Sequence, residues 1–227
     1  RRDSDDSETD IGFDSSGDLD TSAIATHCGS ANGYVVTWYD QSGNTNNATQ
    51  STDGSQPQIY TGSAVITNNG KPGLQFDNSG QDQLFFTQVS SPETVFSVCG
   101  GDGSSFSTLL GADTPSTAYD KSLRQIPGPV WYLDSPSTPQ DGYNEANGDA
   151  YIDGSQVTGR PSGGSQQLFF AWNTSPVISF SSIAARYLNR SWYGKIQEIV
   201  IYENTDYIDS TNRSGMETDI NTYFSIY

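Results

Sequence analysis

Residues 33–50 read GYVVTWYDQSGNTNNATQ, and this stretch decides the fold that we predict for the chain. Its first half, from Tyr34 to Tyr39, consists of β-branched and aromatic residues, which suit a pleated, half-buried strand. Its second half, from Asp40 to Asn47, is rich in turn-forming residues and has no apolar side chain. A buried strand that runs into a polar turn predicts the corner of a β-hairpin.

The same alternation of a short β-type run and a turn recurs along the whole chain. Turns rich in glycine, asparagine and aspartate separate the runs, as at Asn68-Asn-Gly and Asp153-Gly154. Many short strands at this spacing predict an all-β jelly-roll sandwich of two antiparallel sheets, and 227 residues suit one domain over residues 1–227. The further predicted strands are 58–60, 64–67, 73–76, 83–87, 94–98, 106–110, 130–133, 150–152, 167–172, 177–180 and 196–202.

One helix is predicted near each end of the chain. Asp20 has the side chain to cap a short helix from Ala23 to Thr26. Helical periodicity is clear at the other end, where Ser214 and Glu217 have the spacing of a capping box. The apolar face of that second helix comprises Met216, Ile220, Tyr223, Phe224 and Tyr227.

The chain is strongly acidic, with a net charge of −17 at pH 7 and only 10 lysines and arginines. This charge repels nucleic acid and anionic membrane surfaces, so neither is expected as a partner. No segment has the ~18 consecutive apolar residues of a membrane helix, so no membrane insertion is expected. The acidic run 3–10 is interpreted as a solvated charged edge, because Glu8 stands where a calcium-binding loop needs glycine. No metal site or cofactor is predicted, although calcium binding stays an open alternative because the chain has many aspartates.

Two cysteines, Cys28 and Cys99, allow one disulfide. They are too few for a disulfide scaffold or a zinc site, and a single histidine, His27, removes histidine-based metal chemistry. A bridge and two buried free thiols stay open as alternatives, with the bridge favoured in a secreted protein.

Three passages resemble laminin-G-like domains of the concanavalin A-like superfamily. Residues 150–157, AYIDGSQV, are similar to a strand–turn–strand hairpin of that superfamily, and residues 74–76, LQF, to an early strand. Residues 192–202, WYGKIQEIVIY, resemble the strand that closes its sandwich. The resemblance implies a concanavalin A-like jelly roll.

The opening of the chain resembles the start of the α-L-arabinofuranosidase B catalytic domain, itself a concanavalin A-like sandwich. The matching residues are RRDSDD at 1–6, DIGF at 10–13 and GYVVTWYDQSGN at 33–44. This resemblance implies a retaining glycosidase with a Glu nucleophile and an Asp acid/base. No position here aligns with those two residues, and Glu145 is the glutamate that best suits such a role, since Glu198 is interpreted as part of the scaffold. Hydrolysis is therefore an alternative, and no catalytic residue is assigned.

A second alternative is a lectin-like, carbohydrate-binding module. Residues 114–148 predict a long loop around a strand at 130–133, and such loops on rigid sandwiches usually carry binding residues. Trp172 and Trp192 could bind sugars or fill the core between the sheets, and we expect the core. The candidate glycan-binding residues are Trp131, Tyr132, Tyr143 and Asn144.

The preferred hypothesis is a non-catalytic structural module of an extracellular fibre, tail or filament that contacts glycans. The paired opening and closing motifs also resemble modules of bacterial surface proteins and phage tail proteins, which implies a cell or virion surface. The chain begins at Arg1 inside the motif that it resembles, so we expect Arg1 at a sheet edge that pairs with like subunits. Candidate glycosylation sites are Asn47, Asn173, Asn189 and Asn212.

Overall fold

The computed structural model describes residues 1–77, 81–90, 92–101, 107–111, 122–126, 130–133, 150–156, 166–172, 179–184, 191–203 and 210–227. It confirms the predicted all-β sandwich of antiparallel sheets with a short N-terminal and a C-terminal helix. The helices are α1 (Thr21–Cys28) and α2 (Ser210–Phe224), with a 3₁₀ turn at Asp53–Ser55. The strands of the first half are β1 (Asn32–Tyr34), β2 (Thr37–Trp38), β3 (Ala48–Thr49), β4 (Gln58–Thr61), β5 (Thr67–Asn68), β6 (Lys71–Pro72), β7 (Leu74–Phe76), β8 (Leu84–Ser90) and β9 (Thr94–Gly101). Those of the second half are β10 (Ser107–Gly111), β11 (Ser122–Ile126), β12 (Val130–Leu133), β13 (Ala150–Ile152), β14 (Ser155–Gln156), β15 (Gln167–Trp172), β16 (Ser179–Ile183) and β17 (Gly194–Tyr202).

Two large sheets contain most of these strands. One sheet has eight strands in the order β1-β4-β7-β17-β9-β15-β13-β14, and the other has seven in the order β12-β11-β10-β16-β8-β3-β2. Strands β5 and β6 form a separate two-stranded hairpin. Strand β17 lies inside the eight-stranded sheet although it is the last of the described strands, because it pairs with both β7 and β9.

The stretch at residues 33–50 is divided between the two sheets. Our prediction of one continuous strand from Tyr34 to Tyr39 is wrong: β1 ends the eight-stranded sheet, β2 ends the seven-stranded sheet, and Tyr39 is 44% exposed. A strand that leaves one layer for the other forms a corner of a sandwich. The predicted hairpin is confirmed, because β2 pairs with β3 and Asp40 accepts hydrogen bonds from the Ser42 and Asn46 amides at 2.8 and 3.0 Å.

Apolar side chains fill two layers, one between the sheets and one beneath α2. Alternate residues of β9 serve both layers, since Val95 and Cys99 face the other sheet while Phe96 and Val98 face the helix. A strand that is buried on both faces has no polar alternation, and the run TVFSVC shows none. Trp192 belongs to the layer between the sheets and is fully buried, as expected of a core tryptophan.

The first helix forms as predicted. The Asp20 carboxylate accepts from the Ala23 amide at 2.9 Å and so caps α1. At the other end, the predicted capping box is wrong because α2 begins four residues earlier, at Ser210, which places Ser214 inside the helix. Glu217 instead forms a buried ion pair with Arg213, between Nη1 and Oε2 at 2.6 Å. Within the predicted apolar face, Phe224 is buried, whereas Tyr223 and Tyr227 are 39% and 55% exposed.

The region predicted as one long loop contains a β-hairpin. Strands β11 and β12 pair in register from Leu123 opposite Leu133 to Ile126 opposite Val130. The strand at 130–133 was predicted and β11 was not, because SLRQI lacks aromatic residues and alternates weakly. The prediction of one domain over residues 1–227 stays a prediction.

Candidate functional site

The outer face of the eight-stranded sheet is only half covered. Helix α2 packs over the half formed by β9, β15 and the C-terminal part of β17, where Phe224 contacts Phe96 and Phe170 in one apolar cluster. The other half, formed by β1, β4, β7 and the beginning of β17, lies beside an open groove of about 940 Å³. Such a volume is within the range of small-molecule sites. The uncovered half of the sheet is therefore the candidate functional site.

A row of paired residues crosses this uncovered half. Tyr34 pairs with Gln58, Gln58 with Gln75, and Gln75 with Lys195. Lys195 in turn pairs with Gly100 of β9. Paired residues of neighbouring strands point to the same face, so the row lies on the outer side, opposite the core residues Leu74 and Ile196. Four spacings of about 4.8 Å give the row a length of about 19 Å.

Most of the residues that line the groove are polar, unlike those of most small-molecule pockets. Of its described residues, four are glutamines, five are aspartates and two are tyrosines. Tyr193 is 40% exposed and lines the groove, so its ring is accessible to a ligand there. Amides and carboxylates beside an exposed aromatic ring suit a ligand with many hydroxyl groups and a flat apolar side.

Main-chain contacts hold the glutamine amides in place. Gln75 Nε2 donates to the carbonyls of Phe76 and Gly194, at 2.9 and 3.2 Å, and Gln58 Nε2 donates to Tyr60 O at 3.0 Å. An amide whose NH₂ group is held in this way keeps a carbonyl oxygen that can accept from a ligand hydroxyl. The row is thereby ordered before any ligand binds, which lowers the entropic cost of binding.

Glycines keep the floor of the groove flat. Strand β17 approaches β9 so closely that a Cβ on Gly194 would lie 2.1 Å from Gly100 O, and its φ of +142° also disfavours other residues. Gly100 and Gly101 continue this bare surface in β9. Gly194 thus permits the close contact between the two strands, and Gly100, the partner of Lys195 in the row, leaves its position on the outer face without a side chain.

Arg1 builds one wall of the groove. Its side chain is 6% exposed and lies within 2.6 Å of Asp6, 3.5 Å of Asp3 and 3.6 Å of Asp53. Its Nε donates to Gln56 Oε1 at 2.7 Å, and its guanidinium stacks 5.0 Å from the centre of the Tyr34 ring. The acidic run interpreted as a solvated edge is therefore engaged with arginines.

Arg2 uses the same acidic run in a second ion pair. Its guanidinium contacts both carboxylate oxygens of Asp5, at 2.9 and 2.5 Å, and it holds the pKa of Asp5 well below its usual range. Arg2 also forms a bridge with Gly33, which adds residues 1–3 to the edge of the sheet beside β1. Arg1 lies at a sheet edge, as expected, and the chain itself covers the edge of β1.

Two aspartates at the groove are joined by a hydrogen bond. Asp82 Oδ2 accepts from the Asp77 amide at 2.8 Å, and Asp82 is 7% exposed. Burial raises the pKa of Asp82 to about 6, and the neighbouring Asp77 adds to the rise. Asp82 is therefore neutralised as the pH falls through about 6.

Glu198 lies on the outer face at the boundary between the groove and α2. Burial raises its pKa to about 7, although a hydrogen bond from the Ile199 amide opposes the rise. The residue pairs with Val98 within the sheet and is not part of the described groove lining, in line with its interpretation as scaffold. No glutamate occurs among the described lining residues, and Glu145 lies outside the described residues.

The predicted glycan-binding residues are largely beyond what the structure describes. Trp131 and Tyr132 belong to β12, where only the main chain is described, and Tyr143 and Asn144 fall outside the described residues. The groove residues were missed because they are polar residues within strands, whereas the predicted site consists mainly of aromatic residues in a loop region. Polar residues between apolar neighbours, as in Leu74-Gln-Phe76, were the signal for an outward polar face.

The candidate glycosylation sites differ in their surroundings. Asn47 Oδ1 accepts from the Asp40 amide at 2.9 Å and so belongs to the hairpin turn. Asn212 is an exposed residue of α2, while Asn173 and Asn189 fall outside the described residues.

The two cysteines are separate, buried thiols in the structure. Cys28 ends α1 and is 4% exposed, and Cys99 lies in β9 and is 1% exposed. Of the two alternatives, the structure thus has the free thiols and not the bridge. Burial raises the pKa of Cys99 to about 12, which makes it a poor nucleophile.

Within the described part of the chain, no three His, Cys, Asp or Glu side chains converge as metal ligands would. None of the described helices combines the length and the apolar character of a membrane span.

Fold and groove together define an acidic antiparallel β-sandwich with one open, polar face. Comparisons of the chain with protein-family models, with curated proteins and with solved structures gave no match. The resemblances to laminin-G-like domains and to arabinofuranosidase B therefore stay predictions from the sequence.

Proposed function

We propose that this protein is a carbohydrate-binding β-sandwich module of an extracellular or surface assembly. The observation that carries the proposal is the row from Tyr34 through Gln58 and Gln75 to Lys195, which lies in register across neighbouring strands. Rigid scaffolds with fixed polar groups and a flat aromatic ring suit sugars, which present hydroxyls at their rims and apolar faces to stack.

The proposed contacts divide by chemistry. The ring of Tyr193 stacks on a sugar face, and the amide oxygens of Gln58 and Gln75 accept hydrogen bonds from hydroxyls. Continued to Gly100, the row is about 19 Å long and accommodates several sugar units rather than one. An extended oligosaccharide or polysaccharide therefore fits the groove better than a monosaccharide.

The test is binding of the full chain to a glycan array, followed by affinity electrophoresis on the polysaccharides that score. Tyr193→Ala and Gln75→Ala should each weaken binding about tenfold, the effect of losing one stacking or hydrogen-bonding group. Tyr39→Ala is the matched control, because Tyr39 is 44% exposed but lies outside the groove. Equal losses in all three variants, or no binding to any glycan, would contradict the proposal.

A second candidate function is the structural subunit with like subunits as partners. The supporting observation is that residues 1–3 are the outermost paired segment of the eight-stranded sheet, beyond β1. The outward main-chain groups of Arg2 are engaged with Ser7 O and the Asp6 amide, at 2.9 and 3.0 Å, so a strand added from another copy would have to displace these two hydrogen bonds. Electron microscopy of concentrated protein would show filaments under this hypothesis and dispersed particles under simple glycan binding.

Hydrolysis is the remaining alternative, and an activity assay distinguishes it from glycan binding without turnover. The five described carboxyl groups of the lining all belong to aspartates, whereas the arabinofuranosidase resemblance implies a glutamate nucleophile. Turnover of an arabinofuranosyl chromogenic substrate would favour the enzyme over the binding module.

A further inference from the structure

The charges around the groove are unequal. Its described lining contains the carboxylates of Asp3, Asp6, Asp53, Asp77 and Asp82 against the cationic side chains of Arg1 and Lys195. With every group ionised, the negative charges exceed the positive ones by three. A concave site lined by one sign of charge concentrates that field and repels ligands of the same sign.

The arginine at the groove is unsuited to bind an anion. Guanidinium groups are the strongest protein partners of carboxylate and sulfate, because their N–H groups form a fork that matches two oxygens. Arg1 directs this fork at Asp6 and Asp3 of its own chain and leaves 6% of its side chain exposed. An incoming anion would have to displace these carboxylates.

The side chain of the lysine at the groove points to the side of the groove. Lys195 Nζ donates to Thr67 O at 2.7 Å, on the β5–β6 hairpin. That hairpin is held by Gln197, whose Nε2 donates to the Lys71 and Pro72 carbonyls at 2.9 and 3.1 Å. The ammonium group is thus drawn to main chain at the groove's side.

The rest of the molecule strengthens this field. The chain carries a net charge of −17, so positive charge elsewhere on the protein does not compensate the groove. Sugars that carry carboxylate or sulfate are therefore repelled by the whole acidic molecule as well as by the acidic groove.

We infer that the groove selects glycans that lack carboxylate and sulfate groups and rejects their anionic counterparts. The inference rests on the proposed function and adds the class of ligand to it. Hydroxyl groups and acetamido groups meet the amides and carboxylates of the lining without a charge conflict, and aspartates are strong acceptors for sugar hydroxyls.

The experiment compares each neutral polysaccharide with an anionic derivative of the same backbone. The probes are dextran and dextran sulfate, cello-oligosaccharides and carboxymethylcellulose, and an agarose-type galactan and its sulfated form. Binding to the full chain is measured by affinity electrophoresis at 20 and 300 mM NaCl. A neutral polymer should bind at least about tenfold more tightly than its derivative at low salt, and the gap should narrow at high salt.

A variant that removes one charge tests whether the preference for neutral polymers arises in the groove. Asp77→Asn should reduce the preference for the neutral polymer severalfold, because it removes one repelling charge of the lining. Asp14→Asn is the control, because it removes the same charge outside the groove and keeps the oxygen that accepts from the Ser16 amide. An equal change in both variants would assign the preference to the net charge of the chain and overturn the role of the groove.

The outcomes separate the inference from the proposed function. If a neutral glycan binds, and its anionic derivative binds equally well or better at 20 mM NaCl, the inference is overturned and the proposed function is not. If no glycan of either kind binds, the proposed function fails and the inference fails with it.

Discussion

Glu198 illustrates how one position limits the stability of this sheet. The residue pairs with Val98 in the sheet, and burial raises its pKa from 4.5 to about 7. Between these values the folded protein holds a proton on Glu198 that the unfolded chain has released. The free energy of unfolding must therefore fall as the pH rises through this interval.

Glu198→Gln should remove this pH-dependent penalty. We expect the variant to be more stable than the wild type by about 1 to 3 kcal/mol at pH 8, and almost equal to it at pH 4, where Glu198 is protonated in both states. Urea unfolding at the two pH values measures the difference. Glu8→Gln, at an exposed position, is the control, and a gain of equal size at both pH values would refute the assignment.

At the scale of elements, helix α2 depends on a polar pair inside an apolar contact. Arg213 and Glu217 lie one turn apart with side chains 15% and 6% exposed, and the Arg213 guanidinium stacks 3.7 Å from the centre of the Tyr151 ring. Glu217 Oε1 has no hydrogen-bond partner. The pair holds the helix to β13 while leaving one buried oxygen unsatisfied.

Removing one member of this ion pair should lower the free energy of unfolding more than replacing both members with apolar residues. Arg213→Met alone leaves a buried, uncompensated carboxylate and should lower the free energy of unfolding by about 3 kcal/mol. The double variant Arg213→Met with Glu217→Leu removes both charges and should recover most of that loss. Thermal or urea unfolding of both variants tests the expectation, and a double variant as unstable as the single one would contradict it.

The sequence predicted the elements better than their arrangement. Local patterns placed most described strands, the α1 cap and the turn at Asp40, since these depend on neighbouring residues. The division of residues 34–39 between two sheets was missed, because the β-branched run does not reveal which partner each residue takes. The groove was missed for the same reason: Gln58, Gln75 and Lys195 are distant in the chain and meet only through strand register.

At the scale of the whole molecule, the net charge of −17 opposes compaction. Like charges repel most when they are brought together by folding, and salt screens them over about 10 Å at 0.1 M. Adding 0.5 M NaCl at pH 8 should therefore raise the Tm by a few degrees. At pH 4, near the pI of 4.1, the same salt should have little effect, and calorimetry at both pH values checks this.

The position of β17 has a consequence for how the protein is made. The last of the described strands fills the gap between β7 and β9, so a nascent chain that has not yet reached residue 194 presents two unpaired strand borders to the cell. Synthesis of residues 194–202, rather than of the first hundred residues, is then the event that allows this layer to close. Until that moment the half-made polypeptide is open to capture by other extended chains, and a chaperone that shields it would act on those two borders.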